Sequence, residues 1–182
     1  MIVVNLFGAP GAGKSTGAAY IFAKLKMAGI NAELVTEFAK DKVWEENTEV
    51  FKNQAYIFGK QSFRLSRLKD KVDVVVTDSP LLLCEYYNSQ PELGDEFEKT
   101  VQNVFMSYDN MIYFLQRVKP YNPKGRFQTE EESDEIAEDL FSFVYDRAYD
   151  LRFNFDELPG CIESYDEIVE DVCKRLKGEK NE

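Results

Sequence analysis

The residues of this chain with the clearest chemical potential form a glycine-rich run near its start. The run has the GxxxxGKS pattern and follows apolar residues 1–7, which predict a buried strand. Glycines let successive backbone N–H groups converge on a polyphosphate, and the N-terminus of a following helix favours the same charges. In this pattern Lys14 reaches the β- and γ-phosphates, and the Ser15 hydroxyl ligates Mg²⁺. We therefore expect a nucleotide polyphosphate and Mg²⁺ to be bound here, with the nucleotide held by Gly8, Ala9, Pro10, Gly11, Ala12, Gly13, Lys14, Ser15 and Thr16.

Two carboxylates that follow predicted strands are candidates for catalysis on a phosphoryl acceptor. Asp78 ends an apolar strand at 72–77, where it could hold Mg²⁺, activate a hydroxyl or cap the next helix. Glu37 follows a short strand at 31–36, where an attacking hydroxyl would have to sit. A solvated surface carboxylate is the alternative for Glu37. We predict catalytic roles for both residues and leave open which of them is the general base.

A basic loop follows the next predicted strand, 111–115, and has the features of a short lid. Residues 116–129 contain two prolines, a glycine and four cations, in a chain whose net charge is −11. Cations carried over a nucleotide stabilise charge on a transferring phosphoryl group and exclude water. We expect Arg117 and Arg126 to take this role, and scattered charges on a surface loop are the alternative.

The composition limits the remaining functions. A length of 182 residues with 44% hydrophobic residues fits one α/β domain, and no apolar run approaches the roughly 18 residues of a membrane span. No export signal is visible, and three cysteines without a CxxC fit a reducing compartment, so we expect a cytoplasmic protein without membrane contact. The absence of histidine excludes His-dependent triads and metal sites. The acidic balance disfavours nucleic acid as a partner without ruling out a local basic groove.

The order of predicted elements brings the candidate residues together. Thr129 with Glu132, and Ser164 with Glu167, form capping boxes that predict the starts of the last two helices. Strands separated by helices predict a parallel sheet with helices on both faces and a ligand site at the carboxyl ends of the strands. The helices are expected at 15–28, 38–44, 50–69, 81–108 with a break near 90–94, 129–150 and 164–176, with a last strand within 153–158 and a disordered tail at 177–182.

With these motifs in order, the chain resembles the P-loop nucleoside and nucleotide kinases. Within that group it is most similar to small kinase-like AAA proteins related to the ribosylnicotinamide kinase domain of bacterial NAD regulators, many of them encoded by phages. It is more distantly similar to deoxynucleoside and thymidylate kinases. The resemblance implies a single domain over 1–182 with a three-layer P-loop kinase fold, a five-stranded parallel sheet and a lid over ATP.

The resemblance also implies an acceptor site. Deoxynucleoside kinases use a Glu in an EPVxxW-like segment as the base toward a sugar hydroxyl, and Glu37 is similar in placement, with Phe38 in place of the proline. A Gln on their next long helix recognises a base edge, and Gln54 occupies a similar place, an exposed helix residue being the alternative. These kinases also carry an arginine after the third strand that this chain lacks. Arg64 or Arg67 could replace it, although solvated helix cations are the alternative; the expected acceptor site therefore contains Glu37, Phe38, Gln54 and Arg64.

Three functions fit these observations. The leading one is an ATP-dependent kinase that transfers the γ-phosphoryl group to a nucleoside, a nucleotide or a ribosylnicotinamide-like small molecule. The second is a kinase acting on a modified base within DNA, and the third is a nucleotide-binding ATPase or switch with a protein partner. The identity of the acceptor and the oligomeric state, including a homodimer, are open.

Overall fold

The computed structural model of the chain describes residues 1–45, 48–123 and 128–178, so that the predicted tail lies outside it from residue 179 onward. Strand β1 (Ile2–Phe7) is buried along its whole length, as uniformly apolar strands of parallel sheets are. The strands pair in the order β2-β3-β1-β4-β5, and every pair is parallel. The five-stranded parallel sheet is therefore confirmed. The other strands are β2 (Ala32–Val35), β3 (Val74–Thr77), β4 (Asp109–Gln116) and β5 (Asp156–Pro159).

Helices cover both faces of the sheet. On one face the core contains Ile21 of the first helix and Ile168 of the last. On the other face it contains Ile57, Phe105 and Leu140 from three further helices, so the three-layer arrangement is confirmed. The helices are α1 (Lys14–Met27), α2 (Phe38–Trp44), α3 (Gln54–Ser66), α4 (Leu83–Tyr86), α5 (Gly94–Met106), α6 (Glu130–Leu151) and α7 (Ile162–Leu176), with short 3₁₀ turns at Thr48–Lys52 and Pro91–Leu93. None of the described helices is long and apolar enough to cross a membrane.

The capping signals of the sequence have mixed outcomes. Thr129 and Glu132 form the predicted reciprocal cap at the start of α6. The predicted start at Ser164 is wrong, because the extended backbone of Cys161 begins α7 at Ile162 and leaves Ser164 buried within the helix. The prediction of one continuous helix over 50–69 is also wrong. The Asn53 side chain accepts a hydrogen bond from the Tyr56 N–H and caps a new helix, α3, at this point.

The strand order identifies one edge of the sheet as the place for a ligand. The chain leaves β1 for the far edge strand β2, returns to β3 beside β1, and then crosses to β4 on the other side. The order therefore reverses at β1, and ligands of open α/β sheets bind in the crevice at such a switch point, outside the carboxyl ends of the strands. The glycine-rich loop leaves β1 at this point and runs directly into α1.

Candidate functional site

The loop between β1 and α1 has a backbone that only glycine accommodates at three positions. The φ angles are +137° at Gly8, +89° at Gly11 and +98° at Gly13, all in a region that L side chains rarely adopt. Space is limiting as well, since a Cβ on Gly8 would lie 2.5 Å from the Leu115 carbonyl oxygen. The loop is thus folded tightly against the end of β4 and presents its backbone at the N-terminus of α1, the arrangement that binds anions.

The lysine and hydroxyls that follow the loop lie at the first turn of α1. Lys14 Nζ donates hydrogen bonds to the carbonyl oxygens of Gly8 at 2.6 Å and Ala9 at 3.1 Å, which holds the ammonium over the loop. Ser15 and Thr16 are exposed on the same turn. Of the other predicted loop residues, Ala9 and Ala12 are buried beneath it. The sequence-predicted phosphate site is therefore assembled around one ammonium and one helix N-terminus.

A tyrosine from the last helix supports the loop from behind. Tyr165 is buried and donates its hydroxyl to the Gly13 carbonyl oxygen at 3.1 Å. A Cβ on Gly13 would lie 2.5 Å from that hydroxyl, and a Cβ on Gly17 would lie 2.6 Å from the ring. Sequence reasoning missed Tyr165. The available signal was Gly17, one turn into α1, because a glycine inside a regular element marks the close approach of another group.

Gly160, at the end of β5, makes the closest backbone approach to the loop, and this gives a testable prediction. Its N–H donates to the Gln116 carbonyl oxygen at 2.8 Å, and a Cβ there would lie 2.0 Å from the Ala12 carbonyl oxygen. Gly160→Ala must therefore displace the loop backbone, so we expect weaker ATP binding and a free energy of unfolding lower by about 1–3 kcal/mol. Denaturant titration and ATP binding by calorimetry measure both effects.

Gly59 provides the matched control for that substitution. It lies in the middle of α3 on the exposed face of the helix, where an added Cβ meets nothing within 4 Å. Gly59→Ala should raise the free energy of unfolding by up to about 1 kcal/mol through helix propensity, with ATP binding unchanged. Equal behaviour of the two variants would contradict the role given to Gly160.

The two predicted carboxylates meet at the ends of β2 and β3. Asp78 is 3% exposed, and its Oδ1 accepts a hydrogen bond from the Glu37 backbone N–H at 3.0 Å. Gln61, which sequence reasoning missed, is 1% exposed, and its Oε1 accepts from the Phe38 N–H at 3.2 Å. Because its amide nitrogen also lies 3.4 Å from the Thr36 and Ser79 carbonyl oxygens, Gln61 ties the two strand ends together.

Glu37 is half-buried and lies near Cys84 of α4 and near Tyr87, the residue that follows this helix. Burial, and to a smaller extent the negative charge of Glu37, raise the pKa of the Cys84 thiol to about 12. Burial and the charge of Glu37 likewise raise the pKa of the Tyr87 hydroxyl to about 12. Both groups are therefore protonated and uncharged at neutral pH.

Arg64 contacts the residues on either side of Glu37, whereas Gln54 contacts the 3₁₀ turn before α3. Arg64 donates from Nη1 to the Thr36 carbonyl oxygen at 2.9 Å, and its guanidinium lies 5.3 Å from the centre of the Phe38 ring. Phe38 is buried, with the Tyr56 ring 5.6 Å away. Gln54 is 5% exposed and donates to the Phe51 carbonyl oxygen at 3.2 Å, so the alternative of an exposed Gln54 is wrong.

Lys40 is a third residue that sequence reasoning missed, after Tyr165 and Gln61. It lies on the first turn of α2, three residues after Glu37, and its Nζ is 3.3 Å from Ser15 Oγ. This contact joins the carboxylate side of the site to the phosphate loop. The signal in the sequence was a cation one helical turn beyond a candidate base.

The described part of the basic loop lies against the outer side of the phosphate loop. Arg117 forms ion pairs with Glu130, at 2.5 Å, and Asp134 on the first turns of α6. The Tyr121 ring is 5.5 Å from the Arg117 guanidinium, and a Cβ on Gly11 would lie 3.1 Å from this ring. Arg126, the second predicted lid cation, lies outside the described residues.

A cleft of about 490 Å³ opens on the β4 side of the phosphate loop, opposite Glu37. The loop is fastened to its far wall, since the Ser133 hydroxyl of α6 donates to the Pro10 carbonyl oxygen at 2.7 Å. Both apolar and charged side chains line the cleft, as in many small-molecule sites. Its lining includes Ala12, Gln116, Arg117, Asp134, Phe141 and Glu157.

The residues beside the loop fit a magnesium ion of the kind that accompanies nucleotide phosphates. Mg²⁺ prefers hard oxygen ligands and is usually held by one or two protein groups together with the phosphates. The Ser15 hydroxyl and the Asp78 carboxylate are such donors, and one Asp78 oxygen is engaged by the Glu37 N–H. Within the described ranges, no group of three or more Asp, Glu, Cys or His residues forms a metal site made of protein alone.

Comparison with known proteins agrees with this geometry. A family of AAA domains matches residues 3–163. The structure is similar to that of a deoxyadenosine kinase from M. mycoides with bound dATP, with a TM-score of 0.59 and 20% sequence identity, covering 96% of this chain and 99% of that one. Curated protein sequences give no significant match. The chain therefore belongs to this AAA domain family and has the fold of the P-loop nucleoside and nucleotide kinases.

Proposed function

We propose that the protein is an ATP-dependent phosphotransferase whose acceptor is a nucleoside, a nucleotide or a ribosylnicotinamide-like small molecule. The observation that carries the proposal is the junction of Glu37 with Asp78 beside the phosphate loop. A site that only binds or hydrolyses ATP needs the loop and a metal-holding carboxylate. A second, half-buried carboxylate on the β2 side of the loop is what transfer to another molecule requires.

The donor would lie across the loop with its two halves on opposite sides. The backbone of residues 8–15 and the Lys14 ammonium would hold the phosphates, with the γ-phosphate toward Glu37. The nucleoside half then extends away from the acceptor, toward the β4 side, where the cleft of about 490 Å³ lies. Ser15 and Asp78 would hold Mg²⁺, which neutralises phosphate charge when it is bound.

Glu37 is the better candidate for the general base, and Asp78 for a positioning and metal-holding role. Asp78 is 3% exposed and already accepts the Glu37 N–H, so it is less accessible to an acceptor than the half-buried Glu37. In the proposed step, an acceptor hydroxyl gives its proton to Glu37 and its oxygen attacks the γ-phosphorus, with ADP leaving. A phosphate acceptor is already anionic and needs no base, so this site favours a hydroxyl acceptor.

Arg117 and Arg126 are proposed as the cations that close over the transferring group. Arg117 pairs with two carboxylates of α6, so closure would require it to exchange at least one of them for a phosphate oxygen. This exchange is electrostatically reasonable, because a phosphate carries more charge than a carboxylate. The proposed lid therefore opens and closes at the start of α6.

The experiment that tests the proposal is a product screen with γ-labelled ATP. We expect a new labelled small molecule with at least one nucleoside, nucleoside monophosphate or nicotinamide riboside, and none with the Lys14→Ala variant. An oligonucleotide with a hydroxymethylated base serves as a separate acceptor. Label in the oligonucleotide alone would replace the small-molecule acceptor with DNA, whereas ATP binding without any labelled product would favour a nucleotide switch.

A further inference from the structure

Several hydrogen bonds fix the segment of the chain that carries Lys40. The turn before α2 is fixed by the Glu37 N–H on Asp78, by the Phe38 N–H on Gln61 and by Arg64 on the Thr36 carbonyl oxygen. Lys40 follows on the first turn of the helix, and its Nζ reaches to 3.3 Å from Ser15 Oγ. Its position at the phosphate loop is therefore set by the same contacts that position Glu37.

The charge of Lys40 is not neutralised by a carboxylate in the described part of the chain, where the contact of its Nζ is with a neutral hydroxyl. Other lysines of the same region differ. Lys42 pairs with Glu45 at 2.5 Å, and Lys52 pairs with Glu49 at 2.8 Å. In a chain of net charge −11, a lysine that reaches a phosphate loop without an acidic partner is suited to bind an anion.

The other cations near the loop serve different positions. Lys14 lies over the loop on the Gly8 and Ala9 carbonyl oxygens. Arg117 is on the β4 side with its two carboxylates, and Arg64 is engaged with the Thr36 carbonyl oxygen and the Phe38 ring. The segment Ser79-Pro80 supplies no cation after β3. Lys40 is thus the described cation that approaches the loop from the side of Glu37.

We propose that Lys40 is a catalytic residue that contacts the γ-phosphoryl group from the acceptor side, between Ser15 and Glu37. The inference rests on the proposed function and adds a residue to it. Ser15 Oγ is also the proposed magnesium ligand, and an ammonium and a divalent cation repel each other at one hydroxyl oxygen. With nucleotide and Mg²⁺ bound, the Lys40 ammonium would leave Ser15 for the adjacent phosphate, where it would stabilise the charge that develops during transfer.

The first test needs no acceptor and follows the amine itself. The protein is labelled with a small amine-reactive reagent, and the reactivity of each lysine is measured by mass spectrometry without nucleotide, with Mg²⁺ and ADP, and with Mg²⁺ and a non-hydrolysable ATP analogue. We expect at least fivefold protection of Lys40 by the ATP analogue, weaker protection by ADP, and constant labelling of Lys42 and Lys52. Equal labelling of Lys40 with the ADP and ATP ligands would overturn the contact with the γ-phosphate.

The second test measures transfer with the acceptor found in the product screen. Lys40→Met should lower kcat by about 10²-fold, with less than threefold change in KM for ATP. Lys40→Arg should recover part of the lost rate, because the charge is kept at a similar reach. Lys52→Met, which removes an exposed lysine paired with Glu49, is the control and should transfer at the wild-type rate with the same thermal midpoint.

The outcomes separate this inference from the proposed function. If the wild-type protein transfers phosphate and Lys40→Met does so at the same rate, the role of Lys40 is wrong while the kinase function stands. If no acceptor is phosphorylated, the proposed function fails, and the labelling experiment still decides whether Lys40 contacts the γ-phosphate. If the rate of Lys40→Met falls only as much as its fraction of folded protein falls, Lys40 has a structural role and the inference is wrong.

Discussion

Glu37→Gln should lower the rate of phosphoryl transfer by about 10²–10⁴-fold and leave the affinity for ATP nearly unchanged. The amide has the shape of the carboxylate but cannot take a proton from an acceptor hydroxyl at neutral pH. The backbone N–H of residue 37 still donates to Asp78, so the end of β2 should keep its position. Loss of transfer with ATP binding retained is the signature of a group that acts only on the acceptor.

Single-turnover transfer and ATP calorimetry on the same preparations measure the two effects separately. Glu33→Gln is the control, since Glu33 lies on the same strand β2 and the change removes the same charge four residues earlier. Asp78→Asn tests the competing assignment. If Glu37→Gln transfers phosphate at the wild-type rate while Asp78→Asn does not, Asp78 is the base and Glu37 has no chemical role.

Features that depend on neighbouring residues were predictable from the sequence. The glycine pattern located the loop because the positive φ angles of Gly8, Gly11 and Gly13 are a local requirement. The start of α6 followed from Thr129 and Glu132 for the same reason. The parallel sheet followed from the alternation of strands and helices, since parallel strands need crossover connections.

Features that depend on distant partners were not predictable. Arg64 was expected at the acceptor, but its choice of the Thr36 carbonyl oxygen depends on how α3 packs against the end of β2. In the sequence, Gln61 and Tyr165 are indistinguishable from other helix residues. Only the fold brings Gln61 to the ends of β2 and β3 and Tyr165 to Gly13. Lys40 stands out in the sequence as a cation one helical turn after Glu37, but its contact with Ser15, 25 positions away, depends on the fold.

An ion pair between the buried Glu85 of α4 and the partly exposed Arg147 of α6 is the clearest case of such a distant contact. Glu85 is 6% exposed, and its Oε1 accepts a hydrogen bond from Arg147 Nε at 2.5 Å, 62 positions away. Gln102 of α5 donates to both carboxylate oxygens at 3.1 Å. The pair therefore connects three helices on the sheet face that also carries the wall of the cleft.

Arg147→Leu should lower the free energy of unfolding by about 3–5 kcal/mol, because it leaves Glu85 buried without its counter-charge. Burial already raises the pKa of Glu85 above its ordinary value of 4.5, and loss of Arg147 raises it further. A carboxyl group with a raised pKa in the folded state binds protons more tightly there than in the unfolded chain, so acid favours folding. The cost of the substitution should therefore be largest at neutral pH and shrink as the pH falls toward 4.5.

Urea denaturation of the two proteins at pH 8 and pH 5 measures this difference. Arg175→Leu is the matched control, because it breaks the exposed pair with Asp109 at 2.8 Å and should cost less than about 1 kcal/mol at either pH. Adding Glu85→Gln to Arg147→Leu should recover stability at pH 8, since the uncompensated charge is removed. A loss that is equal at both pH values, or no larger than that of Arg175→Leu, would mean that the pair contributes packing rather than charge compensation.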